Sequence, residues 1–459
     1  MHLRQLRLQN IACFEDVTLD FTNENGEPCQ WIVLLGENGS GKSTALHAIA
    51  TLIPTAENQA SAYASGRPWI RDGAMQADIS MQIVSDKEDF LYAKDNRIDL
   101  SCTLREKGHL ATRIDSSIVS TAYEAALEHL ESDEITEGWF AAGYRTSIGG
   151  RRFIDSNSEP TSYAIAAPKA DRFASLLDDP SRTTSIREWL ADLDYRQLKE
   201  TGLEKAKAEA AFQHAIQAII SVFPNENLSF VEITPTKDVI FSENGLRVSI
   251  DSLSDGYRSV MTWVGDLVRR LVEAFPDSEN PLHAHGVVLI DEIDLHLHPR
   301  WQRTIVAQIR KVFPNLQFIV TTHSPFIAQD MTEEDKIIVL RRDGNHVTAT
   351  EDAGFVQGWR VDQILTSYLF GLNSTRGSEV ESAERQRRDL LDQQAQHGLT
   401  PHQQETLDRV NATIRQFKSS PDETPVGNGQ SEPAADLNKA ADDLMELMAQ
   451  QLTKPAGKT

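Results

Sequence analysis

Gly36-Glu37-Asn38-Gly39-Ser40-Gly41-Lys42-Ser43 directly follows the apolar run Trp31-Ile32-Val33-Leu34-Leu35 and precedes the helix-forming stretch Thr44 to Thr51 (TALHAIAT). The pattern is G-x-x-x-x-G-K-S set between a strand and a helix. Its glycines let backbone N–H groups curl round phosphate oxygens, and the helix start adds the positive end of its dipole. On this reading Asn38, Gly39, Ser40, Gly41 and Thr44 line the phosphate cradle. Lys42 reaches the β- and γ-phosphates, and the Ser43 hydroxyl binds Mg²⁺. A chance glycine-rich turn has no reason to sit between a strand and a helix. The stretch predicts a site for a nucleoside triphosphate, with ATP and Mg²⁺ as the expected cofactors.

The 459 residues suffice for two or three domains with a sizeable core. With 45 basic and 68 acidic residues the formal charge is −23, so no global field draws the chain to nucleic acid or anionic lipid. Contact with nucleic acid would need a local basic patch or a basic partner. Cys13, Cys29 and Cys102 are scattered and odd in number, which argues against a disulfide framework or a zinc site and suits a reducing compartment. The N-terminal MHLRQLRLQN has no apolar signal core, and apolar runs such as Gly286 to Ile290 are strand-sized. The expectation is a cytoplasmic protein without a membrane span.

Leu3 to Phe21 alternates with period two and predicts one or two half-buried strands; Ala77 to Leu104 reads as a β-meander. Ala122 to Glu131 and Ser185 to Val222 read as helical, the latter with a Ser185/Glu188 capping box. Phe230 to Ile250 returns to strands, broken at Pro235 and at the Glu243-Asn244-Gly245 turn. Gly286 to Asp291 and Leu316 to Thr322 suit buried parallel strands whose C-terminal ends carry chemistry. Glu379 to Phe417 predicts a helical hairpin, with Gly398 as C-cap, Thr400 as N-cap and Pro401 at the first helical position. Leu390, Leu391, Leu407, Val410 and Ile414 form its expected apolar seam. Residues 419–433 read as a disordered linker and about Ala434 to Leu452 as a last amphipathic helix. The domain reading is a head over 1–355 with a helical insert near 111–225, a helical appendage over 356–418, and the linker and tail to 459.

Three further motifs carry chemistry. Gly286 to Glu292 (GVVLIDE) is an apolar strand ending in two acids. In nucleotide-hydrolysing sites of this kind the first, Asp291, serves Mg²⁺, and the second, Glu292, polarises the attacking water. Leu253-Ser254-Asp255-Gly256 opens a helical pattern, placing Ser254 at an N-cap with unpaired N–H groups beneath it. Phe318 to Pro325 (FIVTTHSP) sets His323 just after a strand.

Together these motifs resemble the ABC-type ATPases, in the branch that includes the SMC, RecF and OLD proteins. The resemblance implies an α/β P-loop ATPase head, in which the LSxG helix of one subunit closes over ATP held by another. Ser254 and Gly256 would then serve in trans, the dimer would be the catalytic unit, and His323 would sense the γ-phosphate. Asp291 to Gln302 (DEIDLHLHPRWQ) is similar to OLD and Septu-type ATPases rather than to transporters, since His298 stands where transporters have an aspartate. His296 and His298 have a spacing that permits a metal pair on a strand, but the resemblance places this loop at the dimer interface. Trp139 to Ser147 (WFAAGYRTS) resembles the family's GYG-P-x-R loop without its proline. With Arg151 and Arg152 it gathers three guanidinium groups that suit nucleotide, nucleic acid or partner, or simply a solvated loop. Gln76 and Gln82 are the candidates for the family's Q-loop ligand.

The 218 residues from Gly36 to Ser254 exceed a transporter's spacing and fall far short of SMC-type arms. Gly358 to Thr375 is similar to the C-terminal signature of the PtuA ATPases of Septu-type and some retron phage-defence systems. No TOPRIM set and no H-N-H pattern is found. The resemblance thus implies a homodimer or higher homo-oligomer whose ATP-driven switch regulates a partner nuclease, expected to be of HNH type, with nucleic acid reached through the complex. A RecF-like repair ATPase acting directly on DNA is the alternative, and a transporter subunit a distant third.

Overall fold

The computed structural model describes residues 1–53, 69–84, 97–107, 110–115, 140–146, 172–177, 186–223, 228–351, 356–372, 374–375 and 377–417. Strands β1 (His2–Ile11) and β2 (Phe14–Asp20) lead to β3 (Trp31–Gly36) and helix α1 (Lys42–Leu52). Strands β4 (Gln76–Val84), β5 (Arg97–Lys107), β6 (Leu110–Asp115) and β7 (Phe140–Arg145) follow, then α2 (Ala174–Leu177), α3 (Ile186–Lys199) and α4 (Gly202–Val222). A meander of β8 (Leu228–Ile233), β9 (Val239–Glu243) and β10 (Leu246–Ser249) precedes α5 (Asp255–Ala274) and β11 (Gly286–Asp291). Next come α6 (Pro299–Gln302), α7 (Ile305–Val312), β12 (Leu316–Thr321), α8 (Pro325–Gln329), β13 (Lys336–Asp343) and β14 (His346–Thr350). Helices α9 (Val361–Thr366), α10 (Ser378–His397) and α11 (Pro401–Phe417) complete the described chain.

Met1–Thr375 forms one compact unit and Arg376–Thr459 another. In the first, six strands are ordered β14-β13-β3-β12-β11-β7, all parallel except β14. A sheet covered on both sides needs apolar residues at every position, and β3, β11 and β12 supply them. Trp31, Val33 and Leu35 of β3 face a core shared with α3, α4, α5 and α7. Ile32 and Leu34 face the opposite core, shared with α1 and the antiparallel sheet β2-β1-β4-β5-β6. Each such side chain stabilises by about 1.5–3 kcal/mol relative to exposure. Gln317 interrupts the apolar run of β12, yet it is fully buried. Its amide accepts from Leu3 N (2.7 Å) and donates to Leu3 O and Cys29 O (2.9 Å each), joining the two sheets.

Several sequence expectations are amended. The described part of 111–225 is only partly helical, because it contains the end of β6 and all of β7. The segment read as a loop at Phe140–Arg145 is an edge strand, since Phe140, Ala141, Ala142 and Tyr144 are all buried. Ser185 to Val222 is not one helix: the chain breaks at Thr201, with Gly202 at φ 64°. The Asn244-Gly245 turn has both residues at positive φ (51° and 84°), the two-residue geometry that joins β9 and β10. The predicted helix near 122–131, the Ser185 cap, Arg151, Arg152 and everything from 418 onward lie outside the described residues.

In the second unit Gly398 has φ 73° and follows α10, while Thr400 and Gln403 form a reciprocal cap for α11: Thr400 N donates to Gln403 Oε1 (2.9 Å) and Gln403 N to Thr400 Oγ1 (3.3 Å). Leu390, Leu407, Val410 and Ile414 are buried as expected, but Leu391 is 40% exposed. Adjacent helical positions point about 100° apart, so Leu390 and Leu391 cannot both join one narrow seam.

Helix α5 carries charge into the core. Asp266, Arg269, Arg270 and Tyr144 are all buried. Tyr144 Oη donates to Asp266 Oδ2 (3.1 Å), and Arg269 and Arg270 donate to Asp266 at 2.8 and 2.5 Å. Burial opposes the charge on Asp266, but Arg270 and Arg269 overcome it and hold its pKa below the ordinary carboxylate value. Burial beside Asp266 pushes the Tyr144 phenol well up. Asp266→Asn removes the buried carboxylate that Arg269 and Arg270 share, leaving Arg269 its pairing with Glu273, and should lower unfolding stability by about 3 kcal/mol at neutral pH. Because the folded carboxyl has the lower pKa, its contribution is present above the unfolded value and is lost on acidification. Urea unfolding across pH should therefore show the wild-type and variant curves converging below the ordinary carboxylate range.

Candidate functional site

Parallel strands lie about 4.8 Å apart, so placing β12 between β3 and β11 sets their ends roughly 10 Å apart. The loop after β3 and the acids after β11 face each other across the end of β12. Gly41 caps α1 at φ 90°, and a Cβ there would meet the Phe14 ring at 2.5 Å and Cys13 Sγ at 2.7 Å. Only glycine satisfies both the backbone angle and the space. Lys42 is 7% exposed, and its ammonium donates to Gly36 O (2.7 Å) and Glu37 O (2.9 Å) within the loop. Burial holds its pKa below the ordinary lysine value against the pull of Asp291 and Glu292.

Asp291 is the hub. Ser43 Oγ donates to its Oδ1 at 3.0 Å and Thr321 Oγ1 donates to the same oxygen at 2.7 Å. Arg145 Nε approaches its Oδ2 at 3.6 Å. A hydroxyl and a buried carboxylate converging at the start of α1 are hard oxygen donors of the kind Mg²⁺ takes, with the remaining positions left to water and phosphate. The residues fit the metal that the motif implies.

Glu292 and His296 both have positive φ (60° and 64°), uncommon for non-glycine residues and a mark of backbone held by its surroundings. Glu292 N donates to Thr321 Oγ1 (2.7 Å), while Thr146 Oγ1 donates to Glu292 O (2.5 Å) and Asp291 O (3.1 Å). Thr321 thus serves both acids at once. Asp294 Oδ1 accepts from Thr322 Oγ1 (2.6 Å) and His323 N (3.3 Å), tying the acid loop to the histidine loop. Gln302 donates to Asp294 O and Leu297 O (3.2 and 3.0 Å) and accepts from Ser324 Oγ at 2.7 Å. The His323 ring lies at the exposed mouth, where partial burial and the Lys42 charge hold its pKa below the ordinary histidine value.

Ser254 is the N-cap of α5, as the sequence predicts, but its hydroxyl makes no capping bond and the residue is exposed. Gly256 is buried against the acid loop: a Cβ there would lie 2.4 Å from His296 O. The LSDG turn therefore packs backbone to backbone on the loop after β11. His298 caps α6, its Nδ1 accepting from Arg300 N at 3.2 Å, and both His296 and His298 are exposed.

The structure brings Lys42, Ser43, Asp291, Glu292 and His323 to one edge of the sheet; Ser254 and Gly256 sit beside the acid loop. Gln76 and Gln82 lie on β4, in register with Arg105 and Gln5 of the antiparallel sheet, and are not among the partners of this cluster. Sequence reading missed Thr321, Asp294 and Thr146 and left Arg145 unassigned. The Thr-Thr-His and Asp-Glu-Ile-Asp strings contained the first two, as polar residues abutting motifs already noticed.

Residues 32–328 match the protein family described as "AAA domain, putative AbiEii toxin, Type IV TA system". The chain is 25% identical over 389 residues to the "Retron Vc95 probable ATPase" of Vibrio cholerae serotype O1 biovar El Tor, covering 74% of each chain. It is 24% identical over 375 residues to the "Septu protein PtuA" of Bacillus mycoides (strain KBAB4), covering 81% of this chain and 45% of that one. A shorter match, 39% identical over 129 residues and 28% of this chain, is to the "Retron Ec83 probable ATPase" of Escherichia coli, of which it covers 23%. The SMC head domain from Thermotoga maritima aligns over 77% of this chain and 100% of that one, at 12% identity and a TM-score of 0.42. With its P-loop, its parallel sheet and a family match spanning most of the chain, the protein belongs to this AAA-domain family and is an ABC-type P-loop ATPase.

Proposed function

We propose that the chain binds Mg-ATP between two copies of itself and uses hydrolysis to time a partner nuclease in a phage-defence complex. The observation that carries the reading is the convergence of Ser43, Asp291, Glu292 and the His323 loop on the phosphate cradle, with an unbonded Ser254 hydroxyl exposed nearby. The Lys42 ammonium, held within the loop by Gly36 O and Glu37 O, serves the β- and γ-phosphates. Ser43 and Asp291 hold the divalent cation, which supplies neutralisation of charge on the phosphate oxygens. Glu292 orients the attacking water, its backbone fixed by Thr321 and Thr146 so that its side chain has few alternatives. Ser254 and the N–H groups at the start of α5 close on the nucleotide held by the other copy. His323, joined through Asp294 to the acid loop, reads the γ-phosphate.

The similarity to proteins named as a retron probable ATPase and as the Septu protein PtuA supports a defence role. The acidic balance of −23 favours reaching nucleic acid through a partner, for which an HNH-type nuclease is the proposed candidate. Among the described residues no helix is long and apolar enough to cross a membrane.

Glu292→Gln should slow hydrolysis by about 10²–10⁴-fold while ATP binding persists and an ATP-bound dimer accumulates. Hydrolysis at the wild-type rate would remove Glu292 from its role. Gly256→Ala must displace His296 O, costing about 1–3 kcal/mol, and should abolish ATP-dependent dimerisation by light scattering while leaving monomer nucleotide binding intact. The defence reading is tested by coexpression with the products of the genes that flank this chain's own, among which the reading expects a nuclease. The chain and that nuclease should copurify and reduce phage plating, and Lys42→Ala should abolish protection; an unaltered plating efficiency would refute it.

A further inference from the structure

Arg145 is the last residue of β7 and stands in direct register with Asp291 of β11. Registered residues on adjacent parallel strands project to the same face, so the guanidinium is delivered to this carboxylate by the ladder itself. Both side chains are shielded from water, 17% and 5% exposed. The two carboxylate oxygens are used differently. Oδ1 accepts from Ser43 and Thr321, whereas the contact given to Oδ2 is Arg145 Nε at 3.6 Å, beyond hydrogen-bond reach. A buried carboxylate left alone is costly, and here its charge is met by a cation that does not clamp it.

The other end of the guanidinium has its own dock. Arg145 Nη2 lies 3.1 Å from His47 Nε2, which belongs to α1, the helix that follows the P-loop. The same ring nitrogen lies 3.1 Å from Leu176 O. It accepts from the arginine only when it bears no proton, and donates to the carbonyl only when it does. His47 Nε2 therefore faces two competing partners, and Arg145 is held at both ends by contacts that can be released.

The geometry points to Arg145 as the protein's own counter-cation for Asp291, competing by charge for the place that a divalent cation would take. This rests on Ser43 and Asp291 being the metal-binding pair. Metal entry displaces the guanidinium from Oδ2 and leaves it docked on His47. Metal binding is thereby opposed until phosphate arrives to share the cation, which couples the two.

The test is a Mg²⁺ titration of fluorescent ADP-analogue binding to the full chain, with thermal stabilisation by Mg²⁺ alone as a second readout. Arg145→Gln removes the competitor and should lower the Mg²⁺ midpoint on the order of five- to tenfold, the effect of one partly shielded unit charge. Mg²⁺ alone should raise its melting temperature more than that of wild type. His47→Gln weakens the competing dock, returns the guanidinium to Asp291 and should move the midpoint upward. It also serves if Arg145→Gln does not fold. Midpoints unmoved in either variant, or a uniform loss of nucleotide affinity at all Mg²⁺ concentrations, would overturn the proposal, the latter making Arg145 a nucleotide contact. Ser43→Ala separates the two levels of inference. If its Mg²⁺ dependence equals that of wild type, the metal assignment itself fails; if it alone loses that dependence, only the role of Arg145 falls.

Discussion

The bonds from Ser43 and Thr321 to one oxygen of Asp291 close the site, and they are possible only because β12 lies between β3 and β11. Two strands that were neighbours would bring phosphate loop and acids within about 5 Å, too near to admit a hydrated cation and a phosphate. One intervening strand opens the gap, and Thr321 at its end fills the part that must not be open. The threonine is a small amphipathic spacer. Its hydroxyl donates to Asp291 and accepts from Glu292 N, so one group orients both acids.

The turn after β11 is built on strain held from several sides. Glu292 and His296 adopt left-handed backbone that each would avoid in isolation, at a typical cost of about 1–3 kcal/mol apiece. Thr146 and Thr321 grip Glu292, and the absent side chain of Gly256 lets His296 O approach. The LSDG turn and the acid loop are therefore one packed object. A change in the acid loop on loss of phosphate has a direct steric route to the start of α5, where Ser254 is exposed.

What was legible in the sequence was whatever depended on local pattern. The phosphate loop, the apolar strands ending in chemistry, the Asn244-Gly245 hairpin and the Gly398/Thr400/Pro401 hairpin all carry their geometry in a few adjacent residues. The α/β head followed from their order. What was not legible depended on partners far away in the chain. Phe140–Arg145 is short and half glycine and alanine, so its place beside β11 appears only when the sheet is assembled. Arg145 could be counted among three arginines, but its distance to Asp291 could not. Leu391 was misplaced because apolarity alone does not fix which helical face is turned inward. Gln76 and Gln82 were chosen for residue type, and register puts both on a different sheet.

β7 also answers why α5 carries buried charge. Its successive side chains point to opposite faces: Tyr144 turns to Asp266 of α5, and Arg145 turns to Asp291 at the site. A buried ion cluster is a poor way to gain stability, since an apolar replacement of the same shape is often as good. Its ion pairs lie within α5 itself, and the bond that ties the helix to β7 is the one from Tyr144 to Asp266. Arg172 belongs to the same region, lying 5.1 Å over the Phe140 ring with burial lowering its pKa to about 10. The helix that begins at the exposed Ser254 is thus bonded, through Asp266 and Tyr144, to the strand that ends at Arg145 beside Asp291. Any movement of β7 that accompanies release of Arg145 must carry α5 with it, or break the buried Tyr144–Asp266 bond.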